Sequence, residues 1–260
     1  MAKIVKKAAA GPALNMETIR QEIKNKQGEK LVCELNISDS KTNKPTVLIL
    51  HALTGKKENS TINFIAKNLP NKGYNTLQFD FSGHGESQGK LEDANVTKQL
   101  DDINAVLEQI KQVDISRIIL IGNSFSVITA LACAKNNKTI AGLILISGRA
   151  HYLKYIETLE KVGDKYRLFG EALADKSFVK DYKLYDPIAS IKSVTCPVLI
   201  IHGDKDDVIP KEDAELLFKS SPSSKDLLIV HGAGHRFTEI EQKQNALDRI
   251  IHFLNANNKD

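Results

Sequence analysis

The chain has 260 residues and a mass of 28.8 kDa, with 42% hydrophobic and 26% charged residues and only 15 Gly and 7 Pro. These fractions exclude collagen-like, low-complexity and disordered classes, and no apolar run approaches the ~20 residues of a membrane-spanning helix. The net charge of +4 comes from 36 basic and 32 acidic residues spread along the chain, which argues against a nucleic-acid surface, where Lys and Arg would cluster.

The one basic cluster, Lys3, Lys6 and Lys7, is followed by Ala8–Ala10, Gly11 and Pro12, too short and too small for a secretory signal. Residues 1–15 are expected to be a disordered tail, and residues 16–260 one domain. Cys33, Cys133 and Cys196 lie far apart in apolar surroundings, with no CxxC or Cys/His metal spacing. They read as buried free thiols of a reducing compartment, so a cytoplasmic location is expected. Monomer and homodimer both remain open.

Thr18–Asn25 and Leu31–Ile37 read as an opening antiparallel hairpin. Strands follow at Thr46–His51, Asn75–Phe79, Arg117–Gly122, Gly142–Ile146, Pro197–His202 and Leu227–Val230. Several, such as Ile118–Ile121, are apolar on both faces, as interior parallel strands must be. Helical patterns occupy Ser60–Leu69, Val96–Lys111, Val127–Lys135, Lys211–Lys219 and Glu239–Asn255. This alternation predicts an α/β fold with a mostly parallel central sheet flanked by helices. From Ser147 to Ser193 the alternation stops. That span shows no convincing strand, is helix-compatible, and holds Tyr152, Tyr155, Tyr166, Tyr182 and Tyr185 of the chain's 6 tyrosines. It reads as a small helical lid over the C-terminal edge of the sheet.

The chemistry concentrates at three strand ends. Ile118–Ile121 runs through Gly122-Asn123-Ser124-Phe125-Ser126 into a helix, the setting of a nucleophile elbow, where a serine stands exposed on a sharp strand-to-helix turn. The alternative is a serine that merely caps a helix. His202-Gly203-Asp204-Lys205-Asp206-Asp207 follows the strand Val198–Ile201, and His231-Gly232-Ala233-Gly234-His235 follows the last strand. The order Ser, Asp, His, each just beyond a strand, is the order a hydrolytic triad takes in one particular fold.

From Thr18 onward the chain resembles the alpha/beta-hydrolase superfamily, and is most similar to small bacterial feruloyl/cinnamoyl esterases and serine aminopeptidase-like hydrolases. His51-Ala52-Leu53-Thr54-Gly55 is similar to the family's H-G-x-x-G oxyanion loop, and Asp80 to Ser87 to its D-x-x-G-x-G-x-S turn. The resemblance implies Ser124 as nucleophile, His235 as base and Asp206 as orienting acid, with Asp207 the fallback and the amides of Leu53 and Phe125 as oxyanion donors. It departs from the pattern at Ala52 and Ser126, where the family has glycine.

The resemblance further implies hydrolysis of a small-molecule carboxylic ester, aromatic or short-chain, through an acyl-enzyme and with no cofactor or metal. A serine aminopeptidase, a monoacylglycerol lipase, or a non-catalytic or acyl-transferring member of the fold would share these motifs. Tyr152, Tyr155, Tyr182 and Tyr185 are the candidate substrate contacts, because rings offer contact area with a polar tip; the same rings would serve to glue a lid down. His51 and His202 read as loop-holding residues, and His84 as part of a turn, Asp80 to Ser87, that resembles a structural element. His151 reads as exposed surface with substrate contact the alternative, His252 as surface, and the charge run around Lys154–Lys165 as a solvated helix face with a charged substrate site the alternative.

Overall fold

The computed structural model describes residues 17–38, 43–110, 113–169 and 171–258. The expected tail, residues 1–15, lies outside them. Eight strands form the main sheet: β1 (Glu17–Lys24), β2 (Lys30–Ile37), β3 (Thr46–Leu50), β4 (Thr76–Phe79), β5 (Ile118–Asn123), β6 (Ile140–Ile146), β10 (Val198–Gly203) and β11 (Lys225–Val230). Their order across the sheet is β1-β2-β4-β3-β5-β6-β10-β11. The β1–β2 and β2–β4 pairs are antiparallel, and from β4 to β11 every pair is parallel.

Side chains alternate between the two faces of a strand, so a strand covered on both sides must be apolar at every position. In β5, Ile118 and Leu120 enter one core while Ile119 and Ile121 enter the other. β3, β6 and β10 divide in the same way. Helices α1 (Ser60–Asn68) and α8 (Ile240–Ala256) cover the face that Ile119 and Ile121 share, through Ile62, Ile65, Leu247 and Ile250. Helices α2 (Val96–Gln109), α3 (Ser126–Asn136), α6 (Pro187–Ile191) and α7 (Lys211–Ser220) cover the other, through Ile103, Val106, Leu131, Ile191 and Leu217.

The segment from Ser147 to Ser193 differs from the all-helical expectation. It contains α4 (Tyr152–Glu157) and α5 (Lys176–Tyr182), but also a small antiparallel sheet of β7 (Lys161–Val162), β8 (Lys165–Phe169) and β9 (Ala172–Ala174). Gly163-Asp164 makes the first turn, with Gly163 at φ +64°. A Gly-Asp pair between short strands is a hairpin signal that outweighs the helix-compatible composition around it. The segment has a core of its own, built from Tyr152, Ile156, Leu168, Phe178 and Tyr182 against Phe125 and Ile128 of the body. α6, by contrast, belongs to the body, since Ile191 and the following Val194 pack in its core. Among the described residues, no helix is long and apolar enough to cross a membrane.

Candidate active site

β5 ends in a turn whose geometry only small residues permit. A Cβ on Gly122 would meet Ala130 Cβ at 2.9 Å, the Ser126 carbonyl at 2.9 Å and Val127 Cα at 3.0 Å, so α3 crosses the strand end at backbone distance. Ser124 itself sits at φ +55°, a left-handed conformation that costs a non-glycine residue about 1–2 kcal/mol. It is held there by its amide, which donates to the Ile146 carbonyl at 2.8 Å, and by its carbonyl, which accepts from Val127 at 3.1 Å. A helix-capping serine would lie outside this strained region and point its hydroxyl back at the helix. Ser124 instead points its hydroxyl at His235.

Ser126 shows why a second glycine is not needed. Its φ is not positive, and its buried hydroxyl donates to the Leu50 carbonyl at 3.0 Å and accepts from the Asn123 amide at 2.9 Å. The hydroxyl therefore ties the elbow to the end of β3. Ala52 is likewise outside the positive-φ region, which in this loop falls on Thr54 at +59°. The loop from His51 to Gly55 is fixed by a neutral imidazole: His51 Nδ1–H donates to the Ala52 carbonyl at 2.7 Å and Nε2 accepts from the Phe81 amide at 3.0 Å. Burial, reinforced by the neighbouring His84, pushes the His51 imidazole down to about 3. Lys57, just beyond the loop, is buried against Asp80, donating both its amide (2.7 Å) and its ammonium (2.8 Å) to that carboxylate. Asp80 to Ser87 is thus a brace for the loop, in keeping with its expected structural role.

On the other side, Gly203 closes β10 where a Cβ would lie 2.1 Å from the Ala233 carbonyl oxygen. That close approach sets the loop after β10 against the loop after β11. Lys205 donates its amide to the Ala233 carbonyl at 2.9 Å, and His235 Nδ1 then lies 2.8 Å from Asp206 Oδ2. His235 Nε2 lies 2.9 Å from Ser124 Oγ. A carboxylate acceptor at Nδ1 fixes the proton there and leaves Nε2 free to accept the serine proton.

The three acids after β10 separate cleanly. Asp206 is fully buried as a side chain, and its Oδ1 accepts the amides of Val208 (2.9 Å) and Ile209 (2.8 Å). Its Oδ2 accepts from His235 and also from His202 Nε2 at 3.2 Å. Burial alone would raise this carboxyl, but the hydrogen bonds from His202, His235 and Ile209 outweigh it and hold Asp206 well below the usual carboxylate range. Asp204 pairs with the exposed His231 at 2.7 Å instead. Asp207 is exposed. His202, expected only to hold a loop, does so through the Ile209 carbonyl at 2.9 Å and touches Asp206 as well.

Ser124 and His235 open onto a cavity of about 840 Å³. Leu53 and Phe125 line it beside Ser124, and their backbone amides have no acceptor among the described residues. Of the four candidate tyrosines, Tyr152 and Tyr155 line the cavity and Tyr182 and Tyr185 do not. Tyr182 is 1% exposed, packed on Phe125, Phe178 and Tyr152, with ring centroids 4.5–5.2 Å apart. Tyr185 meets the Thr97 hydroxyl at 2.9 Å. Aromatic content alone does not say which rings face inward. Arg149, Lys154 and Arg236 also line the cavity; Arg149 and Arg236 are not singled out from the sequence, and Lys154 reads there as part of a solvated charge run. Lys154 reads as a solvated charge because Glu157, Glu160, Lys161 and Lys165 follow it in the sequence. Among the described residues, no group of three or more His, Cys, Asp or Glu could hold a metal ion.

Comparison with known proteins bears on the fold and on the family. The family model for the alpha/beta hydrolase fold matches residues 45–183, and a serine hydrolase model matches residues 123–246. The chain belongs to the alpha/beta-hydrolase family. It is 28% identical over 180 residues to mouse alpha/beta hydrolase domain-containing protein 17C, covering 69% of this chain and 50% of that protein. The chain therefore spans about half the length of the curated relatives it matches. Among solved structures, Est1E from Butyrivibrio proteoclasticus with bound ferulic acid superposes with a TM-score of 0.82 at 25% identity, covering 91% of this chain and 98% of that one. A hydrolase structure from Agrobacterium vitis, at 20% identity and a TM-score of 0.77, covers 94% of this chain and 99% of that one, and shares the fold.

Proposed function

We propose that this chain is a serine hydrolase that cleaves carboxylic esters through an acyl-enzyme on Ser124. The observation that carries the reading is the continuous hydrogen-bonded relay Asp206–His235–Ser124, with links of 2.8 and 2.9 Å, ending on a strained serine at a cavity wall.

A serine hydroxyl is a weak nucleophile until a base removes its proton as attack proceeds. His235 Nε2 accepts that proton, and Asp206 holds the ring in the tautomer that can accept it and stabilises the resulting imidazolium. The substrate carbonyl oxygen becomes an oxyanion between the Leu53 and Phe125 amides, each of which supplies about 3–4 kcal/mol in comparable sites. His235 then returns its proton to the leaving alkoxide. Water, activated by the same imidazole, attacks the acyl-enzyme and regenerates Ser124. No step requires a metal or cofactor.

An aromatic or short-chain acyl group suits the cavity, whose wall includes Phe125, Tyr152, Tyr155 and Leu168. The ferulic acid bound in Est1E supports the aromatic choice. The test is labelling with a fluorophosphonate, which reacts only with an activated serine, together with turnover of p-nitrophenyl and cinnamoyl esters. Wild type labels and turns over, and Ser124→Ala does neither while keeping its circular dichroism spectrum. A labelled or active Ser124→Ala protein overturns the assignment.

A further inference from the structure

The cavity is charged on one side only. Arg149, Lys154 and Arg236 line it, and no Asp or Glu side chain does. Elsewhere in the molecule, Arg20, Arg167 and Arg249 each hold a carboxylate: Glu86, Glu160 and Asp226. Among the described residues, no carboxylate lies within 4.0 Å of any of the three cavity cations.

Arg149 is the best placed of the three. It is half-buried, at the point where the chain leaves β6 for α4. Its Nη2 donates to the Val208 carbonyl at 2.9 Å, two residues beyond Asp206. Its guanidinium carbon lies 4.7 Å from the centre of the Tyr155 ring, and that ring is itself pinned by its hydroxyl to the Leu168 carbonyl at 3.0 Å. The guanidinium is thus fixed in orientation by one carbonyl and one ring face. It has five N–H donors in all, and the fork it presents matches a carboxylate in a bidentate pair. Taking a cation partly out of water without a counter-ion is unfavourable unless a ligand supplies the anion. Arg236, directly after His235, and Lys154, on α4, add positive charge to the same cavity. Together they raise the local concentration of an anionic ligand and disfavour a cationic one.

We infer that the cavity selects esters that carry a free carboxylate in addition to the scissile bond, with Arg149 as the residue that recognises it. This rests on the esterase reading of Ser124. Either the acyl or the alcohol portion can bear the charge, and the two are separated by substrate choice.

The acyl arm compares naphthyl hemiadipate with naphthyl hexanoate. The alcohol arm compares 4-(carboxymethyl)phenyl butyrate with 4-ethylphenyl butyrate. The readout is the ratio of kcat/KM for the anionic member to that for the neutral member, measured within one preparation so that any unfolded fraction cancels. In at least one arm, wild type favours the anionic member, and Arg149→Leu lowers that ratio about 10- to 100-fold, the range expected for a charge-assisted hydrogen-bond pair. Arg149→Lys, which keeps the charge and loses the fork, falls between. A wild-type preference for the neutral ester in both arms, or a ratio unmoved by Arg149→Leu, overturns the inference and leaves the esterase reading standing.

Calorimetric binding of the same four compounds to Ser124→Ala gives a readout independent of turnover. Tighter binding of an anionic member, erased by adding Arg149→Leu, upholds recognition of the carboxylate by Arg149 even if wild type hydrolyses none of the esters, in which case the esterase reading falls alone. Equal binding of anionic and neutral members, or no binding, overturns it.

Discussion

Replacing Asp206 with Asn tests the relay at its most constrained point. The carboxylate accepts the amides of Val208 and Ile209 on one oxygen and His235 on the other, where it also shares the single Nε2 proton of His202 with the Ile209 carbonyl. The backbone amides of Val208 and Ile209 cannot become acceptors, so the oxygen of the introduced carboxamide must face them. Its NH2 group must then occupy the position of Oδ2, pointing at His235 Nδ1 and His202 Nε2. Two N–H donors cannot face each other, so His235 is driven to the tautomer with its proton on Nε2. That proton points at Ser124 Oγ, and the imidazole can no longer accept the serine proton. His202 meets the same conflict. If its Nε2 gives up the proton to accept from the carboxamide, it can no longer donate to the Ile209 carbonyl.

The expected loss is about 10⁴ in kcat, the effect of the same substitution in another Ser-His-Asp enzyme. It corresponds to about 5 kcal/mol of transition-state stabilisation. Steady-state hydrolysis of a p-nitrophenyl ester measures it, with the fluorophosphonate labelling rate of Ser124 as a second readout of the same proton acceptor. Asp207→Asn is the control, because Asp207 is exposed, and its effect should stay within about twofold. If Asp206→Asn keeps kcat within about tenfold of wild type, or if Asp207→Asn is the more damaging change, the tautomer argument is refuted.

Two further outcomes concern stability and the lid. His51 is held down to about 3 in the native state, whereas an unfolded chain takes up the proton near 6.5. A depressed native value means that the contribution is complete above about 6.5 and lost as pH falls toward 3, at up to about 1.4 kcal/mol per pH unit for each such histidine. Urea midpoints should therefore fall from pH 7 to pH 5, less steeply in His51→Asn, and a flat wild-type profile would contradict the burial of a neutral ring. The Tyr182 hydroxyl is buried with no partner among the described residues, while the Tyr152 hydroxyl donates to the Ser124 and Phe125 carbonyls at 3.2 and 3.3 Å. Tyr182→Phe should raise the unfolding free energy by about 1–3 kcal/mol at most, and the urea midpoint with it, by relieving an unsatisfied group, and leave the ranking of esters alone; Tyr152→Phe should lower both the midpoint and kcat. The opposite pattern would show that the two rings have been assigned the wrong roles.

The sheet was readable from sequence because burial on both faces forces apolar residues through the middle of β3, β5, β6 and β10. The serine and acid loops were readable because each follows such a strand directly, and the histidine loop because it follows the edge strand β11. What sequence could not weigh was geometry between distant segments. The glycine positions at Ala52 and Ser126 look like defects in a motif, yet neither residue has a positive φ, and the Ser126 hydroxyl bonds the elbow to β3. The contact of His202 with Asp206 follows from how the loop after β10 folds back on the strand, which no residue pattern announces. The three cations of the cavity come from the lid entry, α4 and the histidine loop, and only the fold brings them together.

The lid shows the same limit and has a mechanical consequence. Its tyrosines read as candidate substrate contacts or as lid glue, and the ring that joins lid and elbow belongs to Phe125, the residue after the candidate nucleophile. That ring is 6% exposed and packs on Tyr152, Phe178 and Tyr182 at centroid distances of 5.2–6.1 Å. Its backbone amide, on the same residue, is the candidate oxyanion donor. A left-handed Ser124 is unfavourable on its own and persists only where its surroundings over-determine it. Two backbone-to-backbone hydrogen bonds at Ser124, the Tyr152 hydroxyl on its carbonyl, the Ser126 tether and the aromatic cluster around Phe125 are the surroundings that do so. Loosening the lid would release Phe125, and with it the peptide that joins the candidate nucleophile to the candidate oxyanion donor. In this molecule the groups that shape the acyl pocket also hold the reacting backbone in place. Changes that loosen the lid core should therefore move kcat as well as specificity, whereas Arg149, outside that core on the cavity wall, is positioned to act on specificity.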